Sequence, residues 1–262
     1  MDGSAVAEPH AVNAPALSTS GLCKSFGSLV VASDIAFDLP PGVRYALIGP
    51  NGAGKTTLIN LMTGMLRPDA GRILLGDDDI TALEPEARVR RGLVRTFQIN
   101  SLFPNLNALE AVTLAVCERD GLARTWTKPI TAYPGAVDEA YGILEQLLLG
   151  RHCYRLTREL PYGQQRLLEI ALALATRPKV LLLDEPAAGV PREESAELFA
   201  AVTSLSRDIT VLFIEHDMDF VFRFASRIIV MVAGRVLLEG APDEIAADAR
   251  VREIYLGRKH HG

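Results

Sequence analysis

Two stretches of the chain combine residue types and spacing suited to phosphate chemistry. Residues 49–57, GPNGAGKTT, fit the pattern G-x-x-x-x-G-K-[ST]. Gly49, Gly52 and Gly54, with Pro50, Asn51 and Ala53 between them, let a loop turn its backbone N–H groups inward around phosphate oxygens. A helix start just beyond would add a favourable dipole. Lys55 would neutralise the β and γ phosphates, the Thr56 hydroxyl would ligate Mg²⁺, and Thr57 completes the motif. The bland alternative is a glycine-rich turn with no ligand. The second stretch, VLLLDEP at 180–186, is an apolar run ending abruptly in two acids. Strand ends of this kind are where α/β folds place ligands. Asp184 would hold Mg²⁺ through water, and Glu185 would polarise an attacking water as general base. Taken alone, such an acid pair is a solvated turn.

Two further positions close strand-like runs. In TVLFIEHDMDF, His216 comes two residues after Ile214 and could reach a γ-phosphate from the same sheet edge. Its alternative is a capped helix start, with Asp217 or Asp219 near the N-terminus. Gln98 ends LVRTFQ, and an isolated glutamine there is equally a polar surface residue.

The elements that must position these residues follow from periodicity. Leu17 to Ile48 is strand-like, Thr56 to Leu66 helical, and GRILLG another strand; RRGLVRTFQ is a short basic turn leading into a strand that ends at Gln98. LNALEAVTLAVCERD and DEAYGILEQLLLG are two amphipathic helical patterns separated by a loop. From 162 onward the order is helix, strand 179–184, helix 192–206, strand 210–214, helix 217–225, and strands 227–232 and 235–239. This alternation predicts a parallel sheet with crossover helices. PDEIAADARVREIYLG reads as helical. Residues 1–16, rich in Ala, Pro and Ser, read as a flexible tail, and 257–262 as a second.

The 262 residues suffice for one large α/β domain or two small ones. No apolar run approaches the roughly 18 to 20 residues of a membrane span. A net charge of −5 argues against a nucleic-acid binder with a broad basic face. Cys23, Cys117 and Cys153 show no CxxC spacing, which points to reduced thiols.

In kind and order, the phosphate loop, Gln98, the Asp184–Glu185 pair and His216 resemble the motifs of the nucleotide-binding subunit of ABC transporters, across residues 17 to 256. The resemblance implies an α/β P-loop NTPase core with a parallel sheet, an N-terminal antiparallel β subdomain and an inserted α-helical subdomain at about 99–176. It implies a Q-loop glutamine at Gln98, which joins Thr56 and Asp184 as metal ligands, a Walker B pair at Asp184 and Glu185, and a switch histidine at His216. Phe26 in CKSFG matches the aromatic residue that stacks on adenine; outside the family it is a core or edge-strand ring.

Leu160, Pro161, Tyr162, Gly163 and Gln164 lie where the LSGGQ-type signature lies. In the family two subunits pair head to tail, and each signature helix aims its N-terminus at the ATP of the other subunit. Two positions depart from the pattern. Pro161 replaces the signature serine, removing a hydroxyl donor to phosphate, although proline also suits a first helical turn. Pro191 stands where the D-loop usually has Asp or Asn.

Within the family, RTFQINSLFPNLNALEAV, LPYGQQRLLEIALALATRP, LDEPAAG and REIYLG resemble one ATPase of the branched-chain amino acid importers, in a group that handles hydrophobic and polar amino acids, amides and urea. The resemblance implies ATP and Mg²⁺ as cofactors. The implied partners are a second ABC ATPase subunit (a paralogue or a second copy), membrane permease subunits and, indirectly, a solute-binding protein. The implied location is cytoplasmic, at the inner face of the cell membrane. SLFPNL reads as a permease-docking groove or as the subdomain's own core. Rival readings are a lipopolysaccharide-export type ATPase, a soluble ABC ATPase unconnected with transport, and a catalytically weak partner subunit. No NKxD-type motif supports a GTPase.

Overall fold

The computed structural model describes residues 14–96, 102–122, 129 and 132–256. Gln98 and the expected tails, apart from residues 14–16, lie outside these. The chain begins with β1 (Leu17–Phe26), β2 (Leu29–Leu39) and β3 (Arg44–Ile48), followed by α1 (Lys55–Thr63), β4 (Ala70–Leu75), β5 (Asp78–Asp79), α2 (Pro85–Arg91) and β6 (Leu93–Arg95). Helices α3 (Ala108–Arg119), α4 (Pro134–Gln146) and α5 (Tyr162–Ala175) come next. The remainder runs β7 (Val180–Asp184), α6 (Arg192–Thr203), β8 (Thr210–Ile214), α7 (Met218–Phe224), β9 (Arg227–Val232), β10 (Arg235–Gly240), α8 (Pro242–Ala247) and α9 (Ala249–Leu256).

Two sheets result, an antiparallel one ordered β2-β1-β4-β5 and a larger one ordered β10-β9-β3-β8-β7-β6. The core strands of the larger sheet are buried on both faces, and their side chains alternate between two hydrophobic layers. Ala46, Ile48, Leu181, Leu183, Val211 and Phe213 face the layer that holds α3 to α7. Tyr45, Leu47, Val180, Leu182, Leu212 and Ile214 face α1 and the antiparallel sheet. Stacking of Phe199 on Phe220 and Phe224, with ring centroids 5.2 and 5.3 Å apart, fixes α6 against α7. No helix among the described residues is long and apolar enough to cross a membrane.

Three expectations need correction. The basic stretch before β6 is a helix rather than a turn. Pro85 starts it, where a missing N–H is harmless, and Gly92, at φ 101°, ends it in the left-handed conformation. Strand β10 is antiparallel to β9, because Ala233 and Gly234 both take positive φ and fold the chain back in a two-residue hairpin. The C-terminal helix is broken at Asp248, which takes extended geometry and whose carboxylate accepts the Arg250 N–H at 2.8 Å, starting α9 afresh. Helix α3 opens on a capping box: Asn107 Oδ1 accepts from the Glu110 N–H and Glu110 Oε2 from the Asn107 N–H, each at 2.9 Å.

Candidate nucleotide site and signature surface

The parallel strands deliver their C-terminal ends to one edge, where an α/β sheet leaves room for a ligand. β3 runs into Gly49–Gly54, β7 into Asp184 and Glu185, and β8 into Glu215 and His216.

The three glycines of the loop serve different needs. A Cβ on Gly49 would collide with the Met231 carbonyl of β9, so the loop can leave the sheet only without a side chain there. Gly54 combines φ 99° with close approach to the Val31 carbonyl of β2. Gly52 has φ 79° and open space around it, so its requirement is conformational. Ala53 is buried and receives the Gly234 N–H on its carbonyl at 2.9 Å, while Asn51 is exposed. Helix α1 starts at Lys55 behind Gly54 with no side-chain cap, leaving its first amides for an anion. Lys55 Nζ donates to the Gly49 carbonyl at 2.7 Å and the Pro50 carbonyl at 3.2 Å. Burial pulls the Lys55 pKa down, and Glu185 and Asp184 oppose that shift, which places all three in one electrostatic neighbourhood. Thr56 is exposed and Thr57 half-buried.

Glu185 stands at φ 48°, in the left-handed region that residues other than glycine rarely occupy. Its N–H reaches the Ile214 carbonyl at 3.1 Å, extending the β7–β8 ladder, and its carbonyl receives the Ala188 N–H at 3.0 Å. The turn aims its carboxylate at His216, whose Nε2 contacts Glu185 Oε1. Asp217 caps α7 by accepting the Asp219 N–H at 2.9 Å, so the capped helix start and the strand-end histidine are both present.

Phe26 is an exposed hairpin ring, not a core residue; it is 50% exposed, with Lys24 Nζ 5.8 Å from its centroid. The same hairpin supplies Val31 against Gly54. Tyr255 of α9 brings its phenol to the loop as well: burial pushes its pKa up to about 12, opposed by the Gly49 backbone N–H.

The signature residues form a separate surface. Leu160 is buried, and Pro161 is the exposed N-cap of α5 at φ −52°, ψ 155°. Tyr162 is 40% exposed and lies against Gly189, and Gln164 is half-buried. The N–H of Gly163 is not free, because Glu194 Oε2 from the first turn of α6 accepts it at 3.1 Å. Pro191 is the exposed N-cap of α6. In SLFPNL, Leu102 packs against the core while Phe103 is 62% exposed, so the stretch serves core and surface together.

Sequence reasoning missed three participants. Arg95 pairs with Asp184, Glu215 is a buried acid beside His216, and Glu194 caps Gly163. The available signal was a charge at the end of an apolar strand in the first two cases. Glu194 gave none.

Known proteins carry the same frame. The ABC transporter family matches residues 32–188, and a branched-chain amino acid ATP-binding cassette transporter family matches 235–261. The chain is 39% identical over 251 residues to the high-affinity branched-chain amino acid transport ATP-binding protein LivG of Escherichia coli K12, covering 93% of this chain and 98% of that protein. It is 37% identical to the corresponding protein BraF of Pseudomonas aeruginosa, again covering 93% and 98%. It is also 37% identical to the lipopolysaccharide export system ATP-binding protein LptB of Acidithiobacillus ferridurans, covering 92% and 96%. Among solved structures, the ADP conformation of MJ1267, an ATP-binding cassette of an ABC transporter, superposes with a TM-score of 0.81 at 34% identity, covering 92% of this chain and 98% of that one. The family match, the identity over nearly the whole chain and the superposed fold agree: the chain is a member of the ABC transporter family, an ATP-binding cassette that hydrolyses ATP.

Proposed function

We propose that this ATPase powers an importer of branched-chain or related amino acids, working from the cytoplasmic face of the membrane with separate permease subunits. The observation that carries the site assignment is the contact of Glu185 with His216 at the strand ends that also bring Asp184 and Lys55 together. In this reading Glu185 takes the proton of the attacking water and His216 orients that carboxylate and reaches the γ-phosphate. Lys55 leaves the Gly49 and Pro50 carbonyls to bind the β and γ phosphates. Gln98 keeps its expected role in water and metal contact. Phe26 stacks on adenine.

The donor set fits Mg²⁺. Among the described residues no group of three or more His, Cys, Asp and Glu could hold a metal ion. The Thr56 hydroxyl and the Asp184 carboxylate are two hard oxygen donors, as suits an ion that keeps its water and phosphate ligands. Bound there, Mg²⁺ would supply electrostatic stabilisation of phosphate oxygens.

Pro161, Tyr162 and Gln164, backed by the buried Leu160 and Gly163, face a second ATPase subunit, a paralogue or a second copy, across a nucleotide-dependent interface. No nucleic acid takes part. The names of LivG and BraF, together with the match at 235–261, support branched-chain amino acid transport over the lipopolysaccharide-export reading suggested by LptB. The test is ATP-dependent uptake of labelled leucine, isoleucine and valine by cells with and without the gene, paired with affinity capture from membranes. Loss of uptake and recovery of permease subunits support the proposal. Unchanged uptake with recovery of a lipopolysaccharide-export permease overturns it.

A further inference from the structure

The residue after β8, Glu215, is 6% exposed although it carries a carboxyl group. Each of its oxygens takes one backbone donor. Ala187 N–H donates to Oε1 at 3.1 Å, and His216 N–H donates to Oε2 at 3.1 Å. Those donors stand at the two ends of the Glu185–His216 contact. Ala187 lies two residues after Glu185, in the turn closed by Ala188 N–H on the Glu185 carbonyl at 3.0 Å, and the other donor is the backbone of His216 itself. The same turn holds Glu185 at φ 48°. A cavity of about 320 Å³ opens beside the group, lined by Glu185, Ala188, Val190, Glu215 and His216 among others. Val190 leads directly to Pro191 and α6, so the segment fixed by Glu215 continues toward the signature surface.

Burying a carboxylate is costly, and a neutral side chain could accept one of these amides at lower cost. What the carboxylate adds is two equivalent acceptors on one rigid group, which ties both backbones to the same point. We propose that Glu215 is a positioning residue for ATP hydrolysis: it sets the geometry at which Glu185 meets His216 and couples that geometry to the loop through Val190. The inference rests on the assignment of Glu185 and His216 given above. Burial raises the Glu215 pKa, partly offset by the amides of Ala187 and His216, as expected for an acid held mainly by those two bonds.

The test compares Glu215→Gln and Glu215→Ala with Glu185→Gln in the full-length chain, measuring kcat, KM for ATP and binding of a fluorescent ATP analogue. Gln keeps one acceptor and presents an N–H group to the other donor, so kcat should fall about tenfold, with KM and analogue binding within about twofold. Ala should lower kcat further, on the order of a hundredfold, as expected for a misplaced catalytic group. In a His216→Ala background, Glu215→Gln should add little. If Glu185→Gln abolishes turnover while both Glu215 variants keep wild-type kcat, Glu215 has no positioning role. An additive loss in the His216→Ala background also overturns it. If Glu185→Gln leaves turnover intact, the underlying assignment fails instead. Gln is nearly the same shape, so it keeps the test valid even if Ala unfolds the chain.

Discussion

The guanidinium of Arg95 places Nη2 2.6 Å from Asp184 Oδ2 and Nη1 2.8 Å from Asn60 Oδ1. One side chain at the end of β6 thereby joins β7 to α1 and gives the expected metal ligand a cation of its own. A metal ion at Asp184 would take over that charge. Arg95→Gln should therefore destabilise the nucleotide-free chain by about 1 kcal/mol, the range for a partly buried charge-assisted bond. Mg²⁺ with a non-hydrolysable ATP analogue should recover most of the loss. Thermal unfolding with and without the complex measures this, and an equal deficit in both conditions would show that the two cations do not exchange.

Glu194 presents a different competition. Its carboxylate occupies the Gly163 N–H at the start of the signature helix, where the family reading places the partner's phosphate. Glu194→Gln keeps an acceptor for that N–H and removes the negative charge, so ATP-dependent pairing should tighten, by roughly three- to tenfold if the charge term is about 1 kcal/mol. Sedimentation in a Glu185→Gln background reads the association constant. Pro161→Ser should add to the effect through its hydroxyl and should raise stability by about 0.5–1 kcal/mol as a better N-cap. Weaker pairing in Glu194→Gln would show that the carboxylate supports the interface.

Glu169, on the same helix, carries a pH dependence. Burial raises its pKa to about 7, opposed by Arg166, whose Nη1 lies 3.0 Å from Oε2, while Oε1 has no partner among the described residues. Because the folded pKa is the higher one, the unfolded chain loses this proton first as pH rises. Stability from this group is full below about 4.5, falls through the interval up to about 7, and is level above it, for a loss of up to about 3 kcal/mol. Glu169→Gln should remove that slope, so its stability relative to wild type should improve between pH 5 and pH 8. Chemical denaturation at the two pH values checks this; parallel behaviour of the two proteins would assign the slope elsewhere.

What the sequence disclosed and what it withheld have a common physical cause. GPNGAGKTT, VLLLDEP and the histidine after TVLFI were legible because each motif and the strand that delivers it are contiguous. The continuous apolar runs of β7 and β8, set between helical stretches, made the buried parallel sheet legible in the same way. Arg95–Asp184 and Gly163–Glu194 join residues 89 and 31 positions apart, and no local pattern encodes them. Helix α2 was missed although Pro85, Glu86 and Gly92 are ordinary start and stop signals, because its seven residues are too few to display an amphipathic period. Of the two amphipathic patterns read after residue 99, the first contains α3, whereas α4 begins and ends four residues before the second, because Pro134 starts the helix ahead of its apolar stripe.

Arg88 ties α2 to the C-terminal end of α1. It is 1% exposed and donates to the carbonyls of Leu61 and Met62 at the end of α1, and to those of Thr81 and Leu83. Arg88→Met keeps the length of the side chain and leaves all four carbonyls without their donor. A loss of about 3 kcal/mol or more is expected, as for other broken buried networks. Denaturant unfolding measures it, and a loss below about 1 kcal/mol would mean that water replaces the guanidinium.

In the proposed mechanism Glu185, held at a left-handed backbone position against His216, is the base that activates water. The direct measurement is steady-state ATP turnover by Glu185→Gln beside equilibrium binding of ATP. Turnover should fall at least about a hundredfold, the usual scale for removing a general base, while the affinity for ATP stays within about twofold. Turnover at the wild-type rate with ATP still bound would contradict the account.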